Sequence, residues 1–251
     1  MPRPPSFRKS AKLPRDTCQA GRTPKTNTVA SDVAAQKATT AADAFAALAK
    51  DSATSGSVPR GSDPSAAPLL DAVFDVGILR SKASLGEPDI GSLSDWSAAG
   101  NKVGIVYILA GTGITDVSQA GNDAKVAAQA NRNSAQFASE LGRYMDAELA
   151  LQSTIAGIVA TDAGRSGVDE VRSGVTATIT GVITTFPVDG IDTAWRQARV
   201  AALEGAAPGA AKLLLPAQCT SIRATADQVG QQLNDPIATQ GLKTFASLLK
   251  C

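Results

Sequence analysis

Histidine is absent from all 251 residues, and with it the commonest general base near neutral pH and the commonest metal ligand. That excludes Ser-His-Asp and Cys-His catalysis, histidine-containing zinc sites and the Glu-x-x-His di-iron pattern. Rings are scarce as well, with two Trp, two Tyr and six Phe. A core poor in rings and rich in alanine favours helices packed at short axial distance. Long apolar runs are also missing. Long uncharged stretches such as 103–115 and 173–188 fall short of the roughly 18–20 apolar residues a membrane span requires, so no transmembrane segment is expected. The first 28 residues lack the apolar run of about 7–15 residues that makes a secretory signal. No motif calls for a cofactor or a metal.

The net charge of +1 conceals an asymmetry. Residues 1–28 hold seven basic side chains (Arg3, Arg8, Lys9, Lys12, Arg15, Arg22, Lys25) against Asp16, which makes this segment +6 and the remainder −5. Pro, Ser and Thr dominate the segment with almost no apolar clustering, so residues 1–28 are expected to be a disordered basic tail. The body, residues 29–251, is expected to be a single all-α helical-bundle domain of about seven helices. A mildly acidic body argues against nucleic acid as its partner, because neutralising phosphates supplies most of that affinity.

Helical periodicity runs through most of the body. The segment from Val29 to about Asp51 reads as a helix with Val29, Val33, Ala41, Phe45 and Leu48 inward. Residues 52–68 read as a Ser/Gly/Pro linker. Ala67 to about Lys82 forms one further helix, broken by Glu87-Pro88-Asp89. Val106–Asp116 (VYILAGTGITD) superficially matches a strand entering a phosphate-binding turn. However, Trp96, Ala99, Val103, Val106, Ala110, Gly113 and Val117 make a 3-4 stripe. Asp116 stands where the dinucleotide fingerprint wants a third small residue, so a helix from about Ser94 is expected there.

The strongest periodicity extends from Asp123 to about Asp162 through Val126, Ala130, Asn133, Phe137, Leu141, Tyr144, Glu148, Leu151, Ile155 and Ile158. It predicts a central helix of roughly 55–60 Å. Arg165–Phe186 follows, with Val168, Val171, Val175, Ile179, Val182 and Phe186 inward. Ile191 to about Gly205 comes next, with Trp195, Ala198, Ala202 and Leu203 inward, and residues 205–216 read as a connector. Two final helices, Ala217–Leu233 and Ile237–Leu249, join at Asn234-Asp235-Pro236.

Cys219 and Cys251 lie symmetrically about Asp235. In an antiparallel hairpin each arm runs about 24 Å from the turn, which brings both thiols to the open end. The spacing predicts a Cys219–Cys251 disulfide, against the alternative of two free thiols; Cys18 is left unpaired in the tail. A disulfide implies an oxidising compartment, periplasmic or secreted, while the missing signal points to cytoplasm if the thiols are reduced.

One polar face stands out. Gln136, Glu140, Tyr144 and Glu148 recur every four residues, with Arg143 three residues after Glu140. Two carboxylates, a phenol and a guanidinium could bind a cationic ligand, a hard metal or a polar substrate, and burial would raise a carboxyl toward acid/base use. Glu140, Arg143, Tyr144 and Glu148 are therefore the candidate ligand-binding residues, weighed against an ordinary Glu140–Arg143 ion pair beside a packed Tyr144. Asn131-Arg132-Asn133, and Asp71, Asp75 and Arg80, are candidate extensions. The leading expectation is an exported, non-enzymatic domain that binds a partner protein or small ligand. The alternatives are a carboxylate enzyme built on this face and a cytosolic helical adaptor with a basic tail.

Overall fold

A computed structural model describes residues 30–54, 59–80, 90–111, 135–162, 164, 166–187 and 191–251. Among these the protein is all-α: α1 Ala30–Thr54, α2 Ala67–Val73, α3 Val76–Arg80, α4 Ile90–Gly111, α5 Ala135–Val159, α6 Val168–Thr184, α7 Thr193–Leu213, α8 Pro216–Gln232 and α9 Pro236–Leu248. A short 3₁₀ turn, Ala160–Asp162, extends α5. No helix among the described residues is long and apolar enough to cross a membrane. The tail 1–28, the glycines at 113 and 121, and Asn131-Arg132-Asn133 lie outside the described residues. So does the first part of the expected central helix.

Side-chain partners fix the directions of the helices. Asp32 meets Ser92 and Asp43 meets Lys102, so α1 and α4 run parallel, and α2 and α3 lie on the return between them. From α4 onward the direction alternates. Ser97 opposite Gln152 and Gly104 opposite Glu148 make α4 and α5 antiparallel, as do Glu148 opposite Thr178 and Met145 opposite Thr185 for α5 and α6. Trp195 opposite Ala138 and Ala206 opposite Ser153 make α5 and α7 parallel. α5 is central and contacts α3, α4, α6 and α7; the α8–α9 hairpin closes over α6 and α7. One continuous cluster of buried apolar residues draws on all of them.

Alanine and glycine set the spacing. The inward face of α1 is Ala35, Ala38, Ala42, Phe45 and Ala49, while Val33 is exposed, contrary to the expected stripe. The small face lets α4 approach closely, so Val33 is left on the outside. On α7 the inward residues are Trp195, Arg199, Leu203, Ala206, Ala207 and Ala210, and Ala198 faces solvent. Nor does α7 stop at Gly205. It continues through the exposed Pro208 to Leu213, because Ala206, Ala207, Ala210 and Leu213 are all buried and their packing outweighs one missing backbone bond. Its end is secured by Arg172, whose Nε donates to the Leu213 carbonyl at 2.9 Å.

The single helix expected over 67–82 is two. Asp75 accepts the backbone N–H groups of Gly77 (3.1 Å) and Ile78 (3.2 Å) and so caps a new start, α3. The Val73 carbonyl at the end of α2 accepts the indole N–H of the buried Trp96 at 2.7 Å.

The C-terminal hairpin follows the spacing. Asp235 caps α9 by accepting Ala238 N–H at 3.0 Å, and Thr239 Oγ1 donates back to the Gly230 carbonyl. At the open end Cys219 and Cys251 are disulfide-bonded, with Cα atoms 6.3 Å apart. Cys219 is fully buried and Cys251 exposed, and Arg223 Nη1 donates to the carbonyl of the buried Leu249 at 3.1 Å.

Candidate functional site

The four candidate residues of α5 lie within about two and a half turns of one another but divide among three surroundings. Glu140 Oε2 accepts the Gly61 backbone N–H at 2.9 Å from the loop before α2, and its Oε1 lies 3.5 Å from Arg143 Nη1. The Arg143 side chain is 61% exposed and that of Glu140 only 12%, so the carboxylate anchors the loop while the guanidinium remains in solvent. Tyr144 is buried, its ring 5.9 Å from Phe45 and 6.5 Å from Phe74 by centroid. It belongs to the seam between α1, α2 and α5. The side chain of Gln136 lies outside the described residues.

Glu148 enters a polar layer at the junction of α4, α5 and α6. Thr178 Oγ1 lies 3.0 Å from Glu148 Oε1 and 3.0 Å from Asn101 Oδ1. One turn away Ser97 Oγ donates to Gln152 Oε1 at 2.8 Å, and Gln152 Nε2 donates to the Ser97 carbonyl at 3.3 Å. Two glycines make the space. A methyl on Gly174 would stand 2.8 Å from Ser97 Oγ, and one on Gly104 would stand 3.0 Å from Glu148 Oε2. Burial pushes the Glu148 carboxyl up to about 7 from an ordinary 4.5, with the Thr178 hydroxyl drawing it back down.

A second polar arrangement, absent from the sequence-based expectation, ties α5 to α7. Arg199 Nε donates to Asp146 Oδ1 at 2.7 Å, and its Nη2 donates to Oδ2, a two-point contact. The guanidinium stacks 5.0 Å from the Trp195 ring, whose indole N–H donates to the Ala138 carbonyl at 2.6 Å. Gly142 is what admits this group: a methyl there would lie 1.9 Å from Arg199 Nη1. The only sequence signal is an arginine four residues after a tryptophan on a helix, which by pattern reads as a solvent-facing charge.

Taken together, the carboxylates are distributed among structural partners. Among the described residues no three Asp, Glu or Cys side chains converge as metal ligands would. Open surface is found instead between α1 and α4, where a groove of about 300 Å³ is lined by Gln36, Thr39, Asp43, Asp95 and Lys102. A neighbouring groove of about 270 Å³ is lined in part by Lys37, Asp71 and Asp75. No protein-family model, no curated protein and no solved structure matches this chain.

Proposed function

We propose that this protein is a non-enzymatic helical binding domain of an oxidising compartment, periplasmic or secreted, with a protein or small polar ligand as its partner. The observation that carries the reading is the Cys219–Cys251 pair, one sulfur in the core and one at the chain surface, bonded across the open end of the last hairpin. Such bonds persist in oxidising compartments. Two further features support it. Glu140 and Asp146 are committed to the Gly61 loop and to Arg199, as structural rather than catalytic carboxylates would be. The grooves beside α1, edged by Asp43, Asp71, Asp75, Lys37 and Lys102, offer mixed charge to a polar partner.

The test is the intact mass of natively expressed protein, alkylated with and without prior reduction. A Cys219–Cys251 linkage that blocks alkylation until reduction supports the reading. Free alkylation of both thiols in the freshly isolated protein overturns it and favours the cytosolic adaptor. One feature favours a carboxylate enzyme as second reading: burial pushes the Glu148 carboxyl up to about 7, the range an acid/base group needs. That reading requires Glu148→Gln to abolish an activity while leaving the melting temperature in place.

A further inference from the structure

We propose that Glu148 is a proton-operated clasp at the junction of α4, α5 and α6: when neutral it completes a hydrogen-bonded chain across the three helices, and on losing its proton it takes the Thr178 hydroxyl for itself, which cuts the chain at Asn101 and loosens α4 from α6. The argument is one of donors and acceptors. Thr178 Oγ1 lies 3.0 Å from each of two acceptors, Glu148 Oε1 and Asn101 Oδ1, and carries a single proton. With Glu148 ionised, the Thr178 hydroxyl turns to the carboxylate, the stronger acceptor, and Asn101 Oδ1 goes without. With Glu148 neutral, the acid O–H donates to Thr178 Oγ1 and the Thr178 hydroxyl donates to Asn101, so both contacts are satisfied. Gly104 brings the α4 backbone against the other carboxyl oxygen, which leaves little room between the acid and α4. The Ser97–Gln152 pair one turn away ties α4 to α5 through uncharged groups.

Other ionisable groups on the packed helices are engaged or face elsewhere. On α4, Lys102 pairs with Asp43 and Asp95 is exposed. On α6, Asp169 and Glu170 are exposed, and Arg172 holds Asp169 and the Leu213 carbonyl. On α5 itself, Asp146 binds Arg199, and Tyr144 packs against Phe45 and Phe74. The side chain of Tyr107, one turn beyond Gly104, lies outside the described residues. Burial sets the clasp to operate around neutral pH.

Hydrogen exchange of the full-length oxidised protein, corrected for intrinsic rate, tests this between pH 5 and pH 8. Peptides of α4 and α6 are expected to open roughly tenfold or more often at pH 8 in the parent chain, as a group titrating near 7 in the closed state and near 4.5 when exposed demands. The increase should vanish in Glu148→Gln, whose amide still donates to Thr178, and survive in Tyr107→Phe. An undiminished increase in Glu148→Gln, or its loss in Tyr107→Phe alone, overturns the proposal. Should Glu148→Gln fail to fold, carbon-13 NMR titration of the parent chain decides. A Glu148 carboxyl titrating above pH 6 upholds the clasp, and one titrating below pH 5 removes it.

Discussion

Gly205 and Gly209 sit one turn apart on α7 and should respond oppositely to the same methyl group. An alanine at 205 would meet nothing within 4 Å. Gly205→Ala should therefore gain the usual helix-propensity difference, up to about 1 kcal/mol. At 209 the methyl would lie 2.4 Å from Ser153 Oγ and 2.5 Å from the Ser153 backbone oxygen. The hydroxyl can rotate away, but the carbonyl belongs to the α5 backbone and cannot. Relief requires α7 to withdraw from α5 by close to an ångström, which opens gaps around Leu203, Ala206 and Ala210. Overpacking of this kind costs typically 1–3 kcal/mol, and the rigid obstacle puts this case toward the upper end. After subtracting the propensity gain, Gly209→Ala should lose about 1–2 kcal/mol. Urea unfolding of both variants, followed by far-UV ellipticity with the disulfide intact, measures the difference. If Gly209→Ala is stabilised as much as Gly205→Ala, the close crossing of α5 and α7 is refuted.

Three other outcomes are expected. Gly142→Ala places a methyl 1.9 Å from Arg199 Nη1 and 2.9 Å from Trp195 Nε1; it should cost about 2–3 kcal/mol by urea unfolding and alter Trp195 fluorescence. Reducing Cys219–Cys251, which closes a separation of 32 residues, should lower stability by about 3–4 kcal/mol in the chain-entropy picture, checked by unfolding with and without reductant. Asp235 is held below its ordinary value of 3.8, first by the Ala238 N–H and further by Thr193 and Arg196. Its contribution is thus full above that value and is lost as pH falls through the lower folded one. Asp235→Ala should cost about 1–2 kcal/mol at pH 7, and the difference from the parent should shrink on acidification, as thermal melts from pH 7 to pH 2 would report.

The parts of the fold legible in the sequence were those written in β-branched and large apolar residues. The stripe from Val168 to Phe186 emerges buried along its whole length, because valine and isoleucine leave no doubt about which side is inward. The final hairpin was equally clear, since proline and aspartate mark its turn and two cysteines mark its open end. Contacts made by alanine and glycine were not legible. Val33 looked inward by hydropathy yet is 55% exposed, because alanines fill the interface beneath it. Residues 205–216 read as a connector, yet α7 runs on through Pro208 to Leu213, because burial of the residues beyond it outweighs one lost bond. In the candidate site, Glu140, Tyr144 and Glu148 recur at a four-residue spacing along α5. Spacing along one helix carries no information about what stands opposite, so their division among the Gly61 loop, the Phe45–Phe74 seam and the Thr178 junction could not be read. Arg199 was missed because its acceptor, Asp146, lies 53 residues earlier in the chain.

The glycine approaches along α7 also bear on how the bundle moves. Gly142 receives Arg199, Gly209 rests on Ser153, and Gly241 of α9 receives Val200. Each is a notch cut to one opposing group: Arg199 and Val200 are adjacent on α7 and face α5 and α9, and Gly209 meets α5 again further along the helix. Sliding by a turn of about 5.4 Å, the ratchet by which packed helices often exchange registers, would drive side chains out of their notches against backbone. α7 is therefore keyed to α5 and α9 like a bolt in its wards. Register slip of α7 against α5 or α9 is opposed by these close approaches.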